Sequence, residues 1–359
     1  MTRNLVLPLY KRLQVTKKVK KQTFADYFHL HKWMELFKGP DQQEEQKTLK
    51  KITIIGIHGW FPNSIMQRVL GEPTGTSSKF IEKMTESLNE WSKEQKEEIE
   101  ITSIALECQG QIEYRVETHF DELILHAKTI MQSDYVYITT HSQGTPVSMM
   151  LVAKLIHLGI ISHQKCCILA MAGISHGPFP YLQTYTKMME ENARELFDFN
   201  NPNSSVSKKY YESIEDVLNT GVKLVFVSSW FDQVVPLYSS LASALHHKNV
   251  LRALYVDFEG YDENDFLMRL VVFAIKLRNN MINDKDLFVY LSEVVAGALL
   301  GTGHSTIYDD NSVFKLAIDF MMSPELPGNH SAKIDAFEAP TKLNSYHLPW
   351  SNYNSYSIT

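Results

Sequence analysis

From Lys51 onward the chain alternates short apolar, β-rich runs with stretches of helical period, and this rhythm restricts the fold more than any other feature. The apolar runs fall at residues 52–58, 99–107, 135–140, 167–173, 223–229 and 251–258, and helical stretches at 78–91, 117–132 and 145–158. Strands joined by helices in this way pair in parallel and need helices on both faces of the sheet. The runs 135–140 and 223–229 are apolar almost throughout, as strands buried on both sides must be. The expected class is therefore α/β, with a mostly parallel central sheet flanked by helices. At 359 residues and 44% hydrophobic, the chain can build a large core, and residues 51–322 read as one domain.

Two stretches are too long for simple connections in such a unit. Residues 178–220 contain Phe179, Tyr181, Leu182, Tyr185, Met188 and Met189, which suit either a cap over an apolar substrate or core packing. Residues 259–303 read as a helical insert of two segments, 262–280 and 284–300. The apolar run 287–300 carries Ser292 and Glu293 and falls short of the ~18 residues of a spanning helix, so it reads as a buried helix. Ahead of the domain, residues 1–50 form a basic arm with Arg3, Lys11, Arg12, Lys17, Lys18, Lys20 and Lys21 and no acid before Asp26. It lacks the apolar core of a secretory signal. Three uses of this arm stay open: a solvated terminus, a strip that contacts anionic lipid headgroups, or an organellar transit segment. Phe24, Tyr27, Phe28, His31, Met34 and Phe37 recur at helical spacing up to Gly39-Pro40, an amphipathic helix for packing on the domain or for a membrane interface. Residues 41–50 are a linker, and 323–359 a C-terminal extension.

Composition removes several functions. The net charge of −6 gives no basic field for nucleic acid. Cys108, Cys166 and Cys167 make neither a disulfide framework nor a CxxC site, which suits a reducing, cytoplasmic compartment. No HExxH or comparable ligand cluster appears, so neither metal nor cofactor is expected. The Gly-rich stretch beginning Gly71-Glu72-Pro73-Thr74-Gly75 lacks the lysine of a phosphate-binding loop and reads as a loop with a helix N-cap.

Chemistry concentrates at Thr140-His141-Ser142-Gln143-Gly144, where an apolar strand ends and a helical run begins. A sharp strand-to-helix turn lifts a serine hydroxyl out of the sheet edge and demands small neighbours. Gly144 is one; Thr140 stands where a first glycine is usual. Ser142 as nucleophile needs a base, and the base an orienting acid. Asp232 follows the run 223–229, and His304 lies between glycine-rich residues ahead of the helical run 313–320, which completes the order Ser, Asp, His. The backbone N–H of Gln143 supplies one oxyanion donor, and that of Trp60 the second, with Phe61 as the fallback, in the loop after the run 52–58. His58, Gly59, Phe61 and His176 are candidates to line the substrate site. His141 is carried by the turn itself and is expected to point elsewhere.

Together, HGW (58–60), HSQG (141–144), WFDQVVP (230–236) and GTGHS (301–305) resemble the α/β-hydrolase superfamily, its lipase and serine-esterase branch, over residues 51–322. HGW is also similar to fungal lipase-like hydrolases. The resemblance implies an α/β-hydrolase fold of about eight strands and ester hydrolysis through an acyl-enzyme. The expected function is a serine hydrolase for carboxylic esters, of small-molecule or lipid type. A non-catalytic binding or tethering protein, and a thioesterase or acyltransferase with the same triad, are the alternatives.

Overall fold

The computed structural model describes residues 5–7, 49–61, 74–183, 190–256, 265–296, 303–324, 331–335 and 337. In chain order its strands are β1 (Leu5–Leu7), β2 (Lys50–Ile57), β3 (Ile99–Leu106), β4 (Tyr135–His141), β5 (Lys165–Met171), β6 (Lys223–Ser229), β7 (Leu245–His246), β8 (Val250–Val256) and β9 (Lys333–Ile334). Among the described residues, seven form one sheet in the order β1-β8-β6-β5-β4-β2-β3, while β7 and β9 pair separately. All pairings in the large sheet are parallel except that of β1 with β8, where Leu5 opposes Val256. Six of these strands match the apolar runs of the sequence. β1 does not: three residues show no period, and the basic arm contributes an edge strand.

Helices cover both faces, as a parallel sheet requires. One face carries α2 (Ile112–Leu125), α3 (Ala127–Met131), α4 (Gly144–His157) and α6 (Ser205–Asn219), α6 following the short α5 (Glu191–Arg194). The other carries α1 (Ser77–Gln95) and α10 (Asn311–Met322). Alternate side chains of each strand serve opposite layers. Cys166, Ile168 and Ala170 of β5 join the cluster of Val147, Leu151, Tyr210 and Ile214. Cys167, Leu169 and Met171 join Phe80, Met84, Phe314 and Ile318. Each fully buried side chain of this kind contributes roughly 1.5–3 kcal/mol, so the two layers dominate the stability of the domain. A third cluster closes the β8 edge, from α7 (Leu237–Ser240), α8 (Phe266–Asn279) and α9 (Leu287–Ser292).

Local chemistry agrees with these limits. Thr76 caps α1, its hydroxyl accepting from the Lys79 N–H at 3.1 Å, which is the loop-and-cap role read from the sequence. Ser204 and Asp310 cap α6 and α10 in the same manner. Two expectations change. Most of α6 lies in the main core, with Tyr210, Ile214 and Val217 fully buried, so this part of 178–220 is the crossover helix between β5 and β6 and not a cap. In the insert, the second helix stops at Ser292, with Tyr290 and Val294 exposed, and is shorter than the run 287–300 suggests. The aromatic helix expected near residues 24–37, the linker up to residue 48 and most of the C-terminal extension lie outside the described residues.

The chain leaves β2 toward β3 on one side and returns to β4 on the other, so strand order reverses between β2 and β4. Open α/β sheets form their site in the crevice at the carboxyl ends of such strands. Here those ends carry His58-Gly59-Trp60 and Ser142.

Candidate active site

Ser142 follows β4 directly and adopts φ 52°, a left-handed conformation that costs a non-glycine residue on the order of 1–3 kcal/mol. The surroundings hold it there. Its N–H donates to the Met171 carbonyl at 3.0 Å, which extends the β4–β5 ladder by one step, and its carbonyl accepts from Thr145 at 3.0 Å. Gly144 is demanded by close packing: a Cβ there would collide with Thr140 Oγ1 and would meet the carbonyls of His58 and Ile57 at 2.7 and 2.8 Å. The same list of neighbours explains Thr140. Its hydroxyl occupies the space beside Gly144 and, among the described residues, has no hydrogen-bond partner. Gly59 lies against Ser142, where a Cβ would stand 3.1 Å from the serine Cβ.

Asp232 and His304 come together as their order in the chain suggests. His304 Nδ1 lies 2.9 Å from Asp232 Oδ2. The carboxylate accepts, so Nδ1 carries the proton and Nε2 keeps its lone pair. Asp232 is itself fixed, because Oδ1 accepts the N–H groups of Val234 at 2.8 Å and Val235 at 2.9 Å. The histidine loop has two further ties: its N–H donates to Gln233 Oε1 at 3.1 Å, and its carbonyl accepts from His141 Nε2 at 2.9 Å. Gly303 packs on the Phe231 carbonyl with no room for a side chain. His141 thus points toward the histidine loop, against expectation, its ring centroid 4.6 Å from that of His304. Burial, then the neighbouring His304, holds His141 well below the ordinary histidine range, so it is a neutral donor.

The remaining candidates divide. Gln143 opens α4 beside Ser142, and Trp60 and Phe61 lie half-buried beyond Gly59. His58 is buried with both ring nitrogens engaged: Nε2 accepts the Cys108 N–H at 3.2 Å, so Nδ1 donates to the Gly59 carbonyl at 2.6 Å. Burial and then Arg115 lower its pKa to about 4. His176 is equally enclosed, between Tyr211, whose hydroxyl lies 2.8 Å from Nδ1, and the Phe337 ring. Both rings, expected to line the substrate site, are enclosed by packing, and both ring nitrogens of His58 are engaged. Sequence reasoning passed over Gln233 and Arg115 as site residues and set His141 aside. Arg115 had a signal: with Ile112, Val116, His119 and Leu123 it lies on the buried face of α2, where a charged residue is out of place.

A left-handed serine at the sheet's switch point, with a hydrogen-bonded carboxylate and histidine on neighbouring loops, defines the α/β-hydrolase class. The chain belongs to the YMC0/YMC35 alpha/beta hydrolase domain family, whose model matches residues 14–354. No curated protein matches the sequence. Among solved structures, the chain is similar to phospholipase PlaB from Legionella pneumophila at 17% identity and a TM-score of 0.33, the match covering 51% of this chain and 40% of that one. It therefore spans about two fifths of that phospholipase's length. It is also similar to the lipase BlEst2 from Bacillus licheniformis, at 13% identity and TM-score 0.33 over 79% of this chain and 96% of that one. The product of lin2722 from Listeria innocua gives 8% identity and TM-score 0.43 over 78% and 96%. Among the described residues no helix is long and apolar enough to cross a membrane, and no cluster of side chains suits a metal ion.

Proposed function

We propose that this hydrolase-family chain is a serine esterase acting on carboxylic esters with apolar acyl groups. The observation that carries the reading is the His304–Asp232 hydrogen bond, which leaves His304 Nε2 with its lone pair on a ring that packs against His141, the neighbour of Ser142. Nε2 takes the proton of Ser142 as the hydroxyl oxygen attacks the ester carbonyl carbon. The developing oxyanion is met by the N–H groups of Gln143, at the positive end of α4, and Trp60. His304 then protonates the departing alkoxide, and water repeats the sequence on the acyl-enzyme. Asp232 keeps the imidazole in the right tautomer throughout.

Apolar groups beside the acid loop support the acyl preference. Phe179 and Leu182 pack with Phe197 against Val234 and Ala296, while Tyr181 and Phe231 remain 44% and 48% exposed next to Asp232. The other cap residues named above, Tyr185, Met188 and Met189, lie outside the described residues. A reducing, cytoplasmic setting belongs to the same reading, since all three cysteines are free. So does a peripheral contact of the basic arm with anionic lipid.

A fluorophosphonate probe and a chain-length series of acyl esters, run with and without anionic vesicles, test it. Labelling and turnover should vanish in Ser142→Ala with the fold intact. Ester turnover retained by that variant would refute the assignment, and absence of both in the wild type would favour a tethering protein.

A further inference from the structure

Behind the strand ends, Arg115 is fully buried and has no carboxylate within ion-pair distance among the described residues. One guanidinium nitrogen, Nη1, donates to Gln143 Oε1 at 2.9 Å; the other, Nη2, donates to the His58 carbonyl at 2.8 Å. These two acceptors belong to the two separate segments that carry the proposed oxyanion donors. We infer that Arg115 is a positioning residue that holds the two halves of the oxyanion hole at a fixed separation. The inference rests on the oxyanion assignment above.

Geometry extends the clamp to the donors themselves. The peptide between Gly59 and Trp60 is planar and trans, so the direction of its carbonyl sets the direction of the Trp60 N–H. His58 Nδ1–H fixes that carbonyl at 2.6 Å, and the His58 ring is held in turn by the Cys108 N–H. Arg115 fixes the residue that carries this ring. On the other side, Gln143 is held by its side chain, with Nε2 donating to the Gly110 carbonyl at 3.2 Å and the Asn192 carbonyl at 3.4 Å. Its backbone N–H is thereby kept in place at the start of α4.

The chemistry of the residue fits this task and little else. A planar fork can span two acceptors at a set distance, which a lysine ammonium on a flexible stem cannot. Burying a cation with no carboxylate in contact is costly, and an aliphatic side chain would pack the same face of α2 without that cost. His58 and His119, its buried histidine neighbours, are held neutral by burial and then by Arg115, with pKa values of about 4 and about 3. Arg115 remains charged, burial lowering it only to about 10. Its hydrogen bonds to the two neutral acceptors are therefore charge-assisted.

Arg115→Met and Arg115→Lys, assayed in the full-length protein with a short p-nitrophenyl ester, test the inference. Since losing one oxyanion donor costs ~10²–10³ in kcat, misplacing both should lower kcat by about 100-fold in Arg115→Met with KM within about threefold. The rate of fluorophosphonate labelling should fall in parallel, and Arg115→Lys should recover less than about tenfold of the loss. Gln143→Ala, which keeps the backbone N–H, should lower kcat by about tenfold, and Arg115→Met should cost much less in that background than in the wild type. Where Arg115→Met fails to fold, Gln143→Ala decides alone: a fall in kcat at constant KM supports the clamp, and an unchanged kcat overturns it. Folded Arg115→Met with wild-type kcat, or a loss confined to thermal stability, also overturns it. Failure of the serine reading is distinct, because it shows as activity surviving Ser142→Ala.

Discussion

Asp232 and His304 reach the site on loops, one after β6 and one ahead of α10, and they meet through a side-chain hydrogen bond across 72 residues of chain. Gln143 and Trp60 stand directly at the ends of neighbouring strands, and what they are proposed to offer is backbone N–H. The first pair is tied loop to loop: Gly303 on Phe231, His304 N–H on Gln233, the His304 carbonyl on His141. The second pair is tied from inside the core, through Arg115, His58 and the glycines at 59 and 144. The contrast separates two kinds of precision. A side chain can be aimed by a few hydrogen bonds at its tip, whereas a backbone donor can be aimed only by fixing the chain around it. In the proposed machinery the acid–base half would tolerate changes in stability, and the oxyanion half would turn packing errors into lost rate.

The largest effect should come from the acid–base half. Asp232→Asn keeps the shape but removes the acceptor that selects the Nδ1–H tautomer, so kcat should fall by roughly 10³–10⁴ while the melting temperature stays close to wild type. A matching loss of stability would mean that Asp232 is mainly structural and would erase the contrast. Next, Gly144→Ala forces a methyl group against Thr140 and two carbonyls, and overpacking of this kind costs about 1–3 kcal/mol. The oxyanion half should respond in both melting temperature and kcat; normal kcat in a destabilised variant would show that the two are not linked.

Acid should then act on both halves, because burial lowers His141 beside His304 as well as His58 and His119. Burial lowers His58 to about 4 and His119 to about 3 from a usual value of 6.5. Between those values the unfolded chain binds more protons than the folded one, so stability is complete above about pH 6.5 and is lost as pH falls toward 4. Denaturant titrations from pH 7 to 4 should show that decline, and His119→Leu should flatten it. An identical slope in the variant would remove His119 from the account. His141→Phe, which deletes the bond to the His304 carbonyl, should cost about tenfold in kcat, the modest effect of one orienting contact among three. Smallest of all, Thr140→Val replaces a buried hydroxyl that lacks a partner and should leave stability unchanged or raise it by about 1 kcal/mol or less. Marked destabilisation would show that the hydroxyl is bonded after all.

Much of this was open to a reading of the chain. Continuous apolar runs gave six strands to within two residues of their ends, because a strand buried on both faces has little freedom in composition. The pairing of Asp232 with His304 agrees with the order read from the chain, because the proposed chemistry needs particular residue types in loops near the strand ends. Hidden from that reading were β1, too short to show a period, and the place of α6, whose amphipathic pattern is the same whether it covers a sheet or caps a site. The enclosed state of His58 and His176 was equally hidden, since partners such as Cys108, Tyr211 and Phe337 are distant in sequence.

By itself, then, the sequence determined the layered sheet and the three side chains proposed for the chemistry, since periodicity and residue type are local properties. Only the tertiary structure decided which buried groups support them. Arg115 was visible as a charge on an apolar helix face, but its meaning depends on His58 and Gln143, and their meeting behind the strand ends is set by how β2 and β4 pair.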